Sequence, residues 1–164
     1  MFLLFAAGIT ANAQKFALID MEYILKNIPA YQSASNELNQ VSKQWQNEVE
    51  KLGKEAKSLY DSYQASVKTL SDAQKTKKEE EIVAKEKSAA ELRRKYFGPE
   101  GELFKKREAL MQPIQDEIYE AVKAISTQKG YAVVVDRASA SSIIFASPNI
   151  DISNEVLAKL GYSN

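Results

Sequence analysis

From Gln32 to Leu70 the chain contains no proline and a single glycine, Gly53, and its apolar residues recur every three and four positions. With Val49 as a and Leu52 as d, the heptad count gives eleven a/d positions between Ser35 and Leu70. Eight of them are apolar: Leu38, Trp45, Val49, Leu52, Ala56, Leu59, Tyr63 and Leu70; the other three are serines. Such a repeat, with lysine and glutamate elsewhere, is the seam of a coiled coil. A helix over residues 32–70 would reach about 60 Å at 1.5 Å per residue, more than a compact domain of 164 residues can enclose. Gly53 costs that helix about 1 kcal/mol in propensity.

The repeat ends at Leu70. Ser71 is followed three residues later by Gln74, a capping-box arrangement, and Asp72 suits the positive end of a new helix. A helix that stops and restarts within a few residues most simply reverses, which predicts an αα-hairpin; the alternative is one unbroken helix through residue 96. The returning arm carries Ile82, Ala89, Leu92 and Tyr96 on one face. It is interrupted by "YFGPEGELF", whose Gly98, Pro99 and Gly101 cannot continue an ordinary helix, and it resumes with Phe104, Met111, Ile114, Ile118, Ala121 and Ile125. Tyr96 and Phe104 are eight residues apart rather than seven, so the break shifts the register. Pro113 should kink the resumed helix and Gly130 should cap it. The return arm is some twenty residues longer than the outgoing one, and the break is the expected place for the difference.

Two short β-prone runs bracket this excursion, "KFALID" at residues 15–20 and "YAVVVD" at 131–136, each closed by an aspartate. If the arms form a hairpin, the two runs meet, and antiparallel pairing is expected. "SIIFAS", residues 142–147, reads as a third strand in a hairpin with the second. A short amphipathic stretch follows the first strand, with Tyr23, Ile24 and Ile28 at helical spacing and Pro29 as its stop. A last helix carries Val156, Leu157 and Leu160, with Asp151 or Ser153 as cap and Gly161 as stop. The fold class is therefore α-dominated α+β: a small antiparallel β body from both chain ends, with a long antiparallel coiled-coil hairpin inserted. The expected divisions are 14–31 with 130–164 for the body, which also assembles subunits, and 32–129 for the arm. Three short strands and two short helices bury little surface, and open apolar edges invite another chain, so an oligomer is expected.

Residues 1–13, "MFLLFAAGITANA", bear no charge, have an apolar core from Phe2 to Ala7 and end in Ala11-Asn12-Ala13, the small-x-small pattern of a signal-peptidase site. The run is too short for a membrane anchor, which needs about 20 apolar residues. Export to the periplasm, with cleavage before Gln14, is the expectation. Acidic and basic side chains number 22 each, so no attraction to nucleic acid is implied. The absence of cysteine and histidine removes thiol nucleophiles, Ser-His triads and the commonest metal ligands. Ser-Lys chemistry is the one catalytic option left, and no serine stands in a recognisable nucleophile turn. No enzyme activity, cofactor or metal is expected.

"KFALIDMEYIL", the long helical middle and "GYAVVVDRASASSIIFASPNIDISNEVLAKL" together resemble the Skp/OmpH family of periplasmic chaperones over essentially the whole mature chain. That resemblance implies a homotrimer in which a β body gathers three helical hairpins around a cavity. Unfolded outer-membrane proteins would be held there without ATP. Val41, Tyr60 and Val67 lie just off the seam and are the candidate client contacts; the bland alternative is that each packs between the arms. The well-known members of the family are strongly basic, whereas here Lys68, Lys75, Lys77 and Lys78 near the arm tip are offset by Asp72 and Glu79 to Glu81. The clusters Arg93-Arg94-Lys95 and Lys105-Lys106-Arg107 flank the break, and contact with a membrane surface stays open between a basic patch and two solvated helix faces. A structural coiled-coil spacer or adaptor of the cell envelope would carry the same heptads, and is the competing reading.

Overall fold

A computed structural model describes residues 15–140 and 142–162. The elements run β1 (Lys15–Ile19), α1 (Met21–Lys26), α2 (Pro29–Ser66), a 3-10 turn (Val67–Thr69), α3 (Asp72–Phe97), α4 (Glu102–Lys129), β2 (Tyr131–Asp136), a second 3-10 turn (Pro148–Ile150) and α5 (Ser153–Lys159). They divide into a unit made from both chain ends, residues 1–29 with 115–164, and a unit of residues 30–114. The division falls inside α4, beside Pro113. No helix among the described residues is long and apolar enough to cross a membrane. The expected signal segment, residues 1–13, lies outside the described residues.

In the 30–114 unit the hairpin forms. Pro29 opens α2 rather than ending α1, which suits its fixed φ and missing N–H at a first helical position. Helix α3 starts on the expected capping box: the Ser71 hydroxyl accepts from Gln74 N–H, and the Gln74 side chain accepts from Ser71 N–H at 2.9 Å. The returning chain runs antiparallel beside α2. Tyr63 hydrogen-bonds Glu79, Lys85 reaches Glu55 at 2.9 Å, Tyr96 donates to Glu48 at 2.7 Å, and Lys106 pairs with Glu37 at 2.6 Å. Leu38, Val49, Ala56 and Tyr63 of the seam are buried on α2, and Ile82 on α3.

The break at Gly98–Gly101 is a close-packed corner. A Cβ on Gly98 would lie 2.5 Å from the Arg94 carbonyl oxygen, and one on Gly101 would lie 2.8 Å from that of Tyr96. Gly98 N–H still reaches Arg94 O, and Gly101 N–H reaches Gly98 O, both at 2.9 Å. The corner does not take up the extra length of the return arm, because on either side of it the Glu48–Tyr96 and Glu37–Lys106 pairs keep nearly matched spacing. The surplus is the second half of α4, residues 115–129, which belongs with the chain ends. Pro113 stays inside α4 without ending it, and Gly130 follows with φ +71°, the left-handed conformation that suits a helix C-terminal glycine.

The body differs from expectation in two ways. Strands β1 and β2 pair parallel, Phe16 opposite Val133 through Ile19 opposite Asp136. The antiparallel expectation counted only the reversal of the hairpin; the short helix α1, with its C-cap at Asn27, adds a change of direction after β1 that this count left out. The long excursion supplies the crossover that a parallel pair requires. The expected third strand is also absent: residues 142–147 form no strand. Beyond β2, β1 is held by a bridge from Leu18 to Asp151 and by Ile152 N–H donating to Leu18 O at 2.9 Å, while the edge of β2 that the expected hairpin strand would take has no strand partner among the described residues.

Parallel pairing gives the two strand-closing aspartates a shared purpose, since it brings both to one end of the sheet. Asp20 caps α1 through Tyr23 N–H and takes the Arg137 guanidinium at 3.1 Å, while Arg137 also meets Asp151 at 3.3 Å. Asp136 accepts from Met21 N–H and Ala138 N–H, each at 3.0 Å. Burial opposes ionisation of Asp136, but hydrogen bonds from Met21, Ser139 and Ala138 outweigh it and hold the carboxyl below its ordinary range. Behind this clasp lies the core of the unit: Ala17, Leu18, Ile19, Ile24, Ile28, Ile118, Ala121, Ile125, Ile152, Val156 and Leu157, with Ile118 fully enclosed.

Two outcomes are expected. Ile118→Ala should lower unfolding free energy by about 2–5 kcal/mol in urea titrations, because a fully buried isoleucine loses both transfer energy and packing; a loss under about 1 kcal/mol would contradict the core assigned to α4. The stability contributed by Asp136 is present at neutral pH and is lost as pH falls below about 4 and through its lowered folded value. Asp136→Asn should therefore flatten the acid limb of a midpoint-against-pH curve, and an unchanged limb would refute the hydrogen-bonded carboxylate.

Candidate functional site

The arm unit offers one face with the character of a binding surface. The pitch of α2 places Gly53, Tyr60 and Val67 on a single heptad row, and that of α3 places Val83, Ala90 and Phe97 on another. The antiparallel register brings Gly53 of one row beside Ala90 of the other. Between the helices runs an open groove of about 920 Å³, floored by Val49, Gly53, Ala56, Ala89 and Ala90 and bounded by Tyr60 and Phe97. Small residues on both helices hollow it out, and Tyr60 stays 48 % exposed at its edge.

Polar contacts fix the two walls. The Trp45 and Tyr96 rings stack with centroids 4.6 Å apart and planes 5° from parallel, and Phe97 meets Tyr96 edge-on at 6.3 Å. The hydrogen bond to Glu48 raises the Tyr96 phenol above its usual pKa, and that to Glu79 does the same for Tyr63. Across the same seam, the hydrogen bond from Lys85 holds the Glu55 carboxyl below its usual range. Apart from Tyr96–Phe97, each tie joins an outgoing residue to a returning one, so the groove has walls of fixed register.

Charge around the groove is uneven. Lys54, Lys57, Arg93 and Arg94 stand against Glu50 and Glu86. Glu50 occupies Lys54 at 2.7 Å and Asp61 occupies Lys57 at 2.6 Å. Arg93 and Arg94 have no carboxylate partner among the described residues. The groove is thus locally cationic in a chain whose formal net charge is zero.

Of the three client-contact candidates, Tyr60 alone borders the groove. Val67 continues its row into the 3-10 turn at the arm tip and is half-buried. Val41 stands one heptad before Glu48 and two before Glu55, the carboxylates that reach across to the return arm; its half-burial fits packing between the arms. Gly53, Ala90 and Phe97 were not singled out from the sequence, although the rows 53-60-67 and 83-90-97 are visible in it at heptad spacing. Among the described residues no cluster of acidic side chains has the makings of a metal site.

Comparison with known proteins follows the same outline. Residues 15–160 match the family described as OmpH, Outer membrane protein (OmpH-like). The chain is 24 % identical over 167 residues to Chaperone protein Skp of Photorhabdus luminescens, spanning 96 % of this chain and 92 % of that one. It is 23 % identical over 157 residues to Chaperone protein Skp of Yersinia enterocolitica, spanning 94 % and 91 %. Among solved structures, a putative outer membrane chaperone (OmpH-like) from Caulobacter crescentus CB15 superposes with a TM-score of 0.70 at 13 % identity, over 90 % of this chain and 84 % of that one. With the family matched across nearly all of the described residues, the chain belongs to the OmpH-like outer membrane protein family.

Proposed function

We propose that the protein is an ATP-independent holdase of the periplasm that keeps unfolded outer-membrane proteins from aggregating, in a cavity bounded by the helical arms of a homotrimer. The match to the OmpH-like family over residues 15–160, with relatives named as chaperones, carries this reading. The arm supports it physically. An unfolded membrane barrel needs a partner that shields apolar side chains without fixing one sequence, and an open groove of small and aromatic residues with a charged rim offers many weak contacts rather than one tight pocket. Exposed Val83 extends that surface toward the arm tip, where Val67 lies.

Assembly through the body is supported by what the single chain leaves uncovered. Among the described residues β2 pairs with β1 alone, so its other edge presents unmet backbone groups. Nearby in sequence, Ile144 is 100 % and Phe145 is 85 % exposed on a stretch without secondary structure. Apolar residues so fully bare, together with a free strand edge, fit burial by another copy of the chain.

A purified outer-membrane barrel diluted from urea should scatter light alone and stay clear with roughly a threefold molar excess of trimer. Persistent scattering would sink the holdase reading, and protection confined to folded partners would favour the envelope spacer. Sedimentation equilibrium on residues 14–164 should give a single mass near three subunits, and Phe145→Asp should shift it toward the monomer. A parent chain that sediments as a stable monomer would overturn the shared body.

A further inference from the structure

Gly53 lies in the interior of a 38-residue helix, where a glycine weakens the helix. Nothing among the described residues asks for it: a Cβ built there meets none of their atoms within 4 Å outside the helix's own neighbouring backbone. This is the reverse of Gly98 and Gly101, which the backbone of the corner requires. The missing side chain at residue 53 deepens the floor of the groove at its midpoint, with Tyr60 seven residues toward the tip on α2 and Phe97 seven residues toward the base on α3. Those two aromatics stand about 20 Å apart along the arm at 1.5 Å per residue. An extended chain covers that distance in about six residues and turns alternate side chains the same way.

We propose that the groove grips an extended, net-acidic segment of unfolded polypeptide about six residues long, seating one aromatic or leucine side chain in the notch at Gly53 while its carboxylates meet Arg93 and Arg94. The assignment rests on the holdase reading and names what the arm takes hold of. The occupant's sign follows from the rim: Glu50 and Asp61 already occupy Lys54 and Lys57, while both arginines are unpaired among the described residues. The apolar anchor follows from the floor, which offers only methyl groups and open space between two rings.

Gly53→Leu fills the notch and strengthens the helix, so the variant should melt at or above the parent temperature. The probes are two fluorescein-labelled decapeptides that alternate tyrosine and leucine with glutamate in one case and with lysine in the other. By fluorescence anisotropy the full chain should bind the glutamate peptide roughly tenfold more tightly than the lysine peptide. Gly53→Leu should lose roughly tenfold in affinity for the glutamate peptide, and the double variant Arg93→Gln, Arg94→Gln should bring the two peptides level. Unchanged binding by Gly53→Leu, or equal binding of both peptides by the parent, overturns the assignment. A changed sedimentation mass for Gly53→Leu also overturns it, because the groove would then be filled by a second copy. If Gly53→Leu binds like the parent while the parent still keeps the barrel in solution, the groove assignment falls and the holdase reading stands; failure of the parent to protect the barrel removes both.

Discussion

The parallel pairing of β1 with β2 is the constraint on which the rest depends. Two strands make a marginal sheet by themselves, and these two are separated by the whole helical excursion. They persist because their shared end is a polar clasp. Asp20, Asp136 and Asp151 gather Arg137 and the first backbone N–H groups of α1, while Ala17 to Ile19 are buried in the core of the unit. The ion pairs of Arg137 are half-exposed and contribute less than about 1 kcal/mol each. Their value is positional: with a shared strand end, the start of α1 and the chain just before the last helix are set by one cluster of residues.

The arm achieves its order differently. Its apolar seam is thin, interrupted by serines and alanines, and the register is set by contacts that cross from one helix to the other. Two of these are phenols donating to carboxylates, and one is a stacked Trp45–Tyr96 pair. Directional contacts of this kind tolerate a hollow beside them, because they do not need the space between the helices to be filled. A conventional seam of leucines would have closed around the position of Gly53. Here the polar ties hold the walls and the groove remains.

Much of this was readable from local chemistry. The start of α3 could be placed because Ser71 and Gln74 satisfy each other within one turn, and the end of α4 because Gly130 alone could take the left-handed conformation there. The failures in the body were matters of direction or partner. The sense of β1 against β2 depends on α1 lying between strand and arm, which a count of hairpin reversals omits. "SIIFAS" has the composition of a strand whether its partner is in the same chain or another, and among the described residues β2, its expected partner, pairs with β1 alone. The groove was hidden for a related reason. Gly53 counted only as a loss of helix propensity and Phe97 as part of the break, and their relation appears once the register of the two helices is known. The strand-closing aspartates were likewise visible as a repeated pattern, without meaning until the strands were found to point the same way.

The phenol–carboxylate ties have a consequence for how the hairpin responds to ionic strength. Mobile ions weaken the attraction between solvent-exposed unit charges, so Lys85–Glu55 and Lys106–Glu37 fade in concentrated brine. A tyrosine hydroxyl carries no net charge, and its bond to Glu48 or Glu79 is short-range and directional. Moved from dilute buffer to strong salt, the two helices keep their alignment while the electrostatic decoration on their surface is switched off.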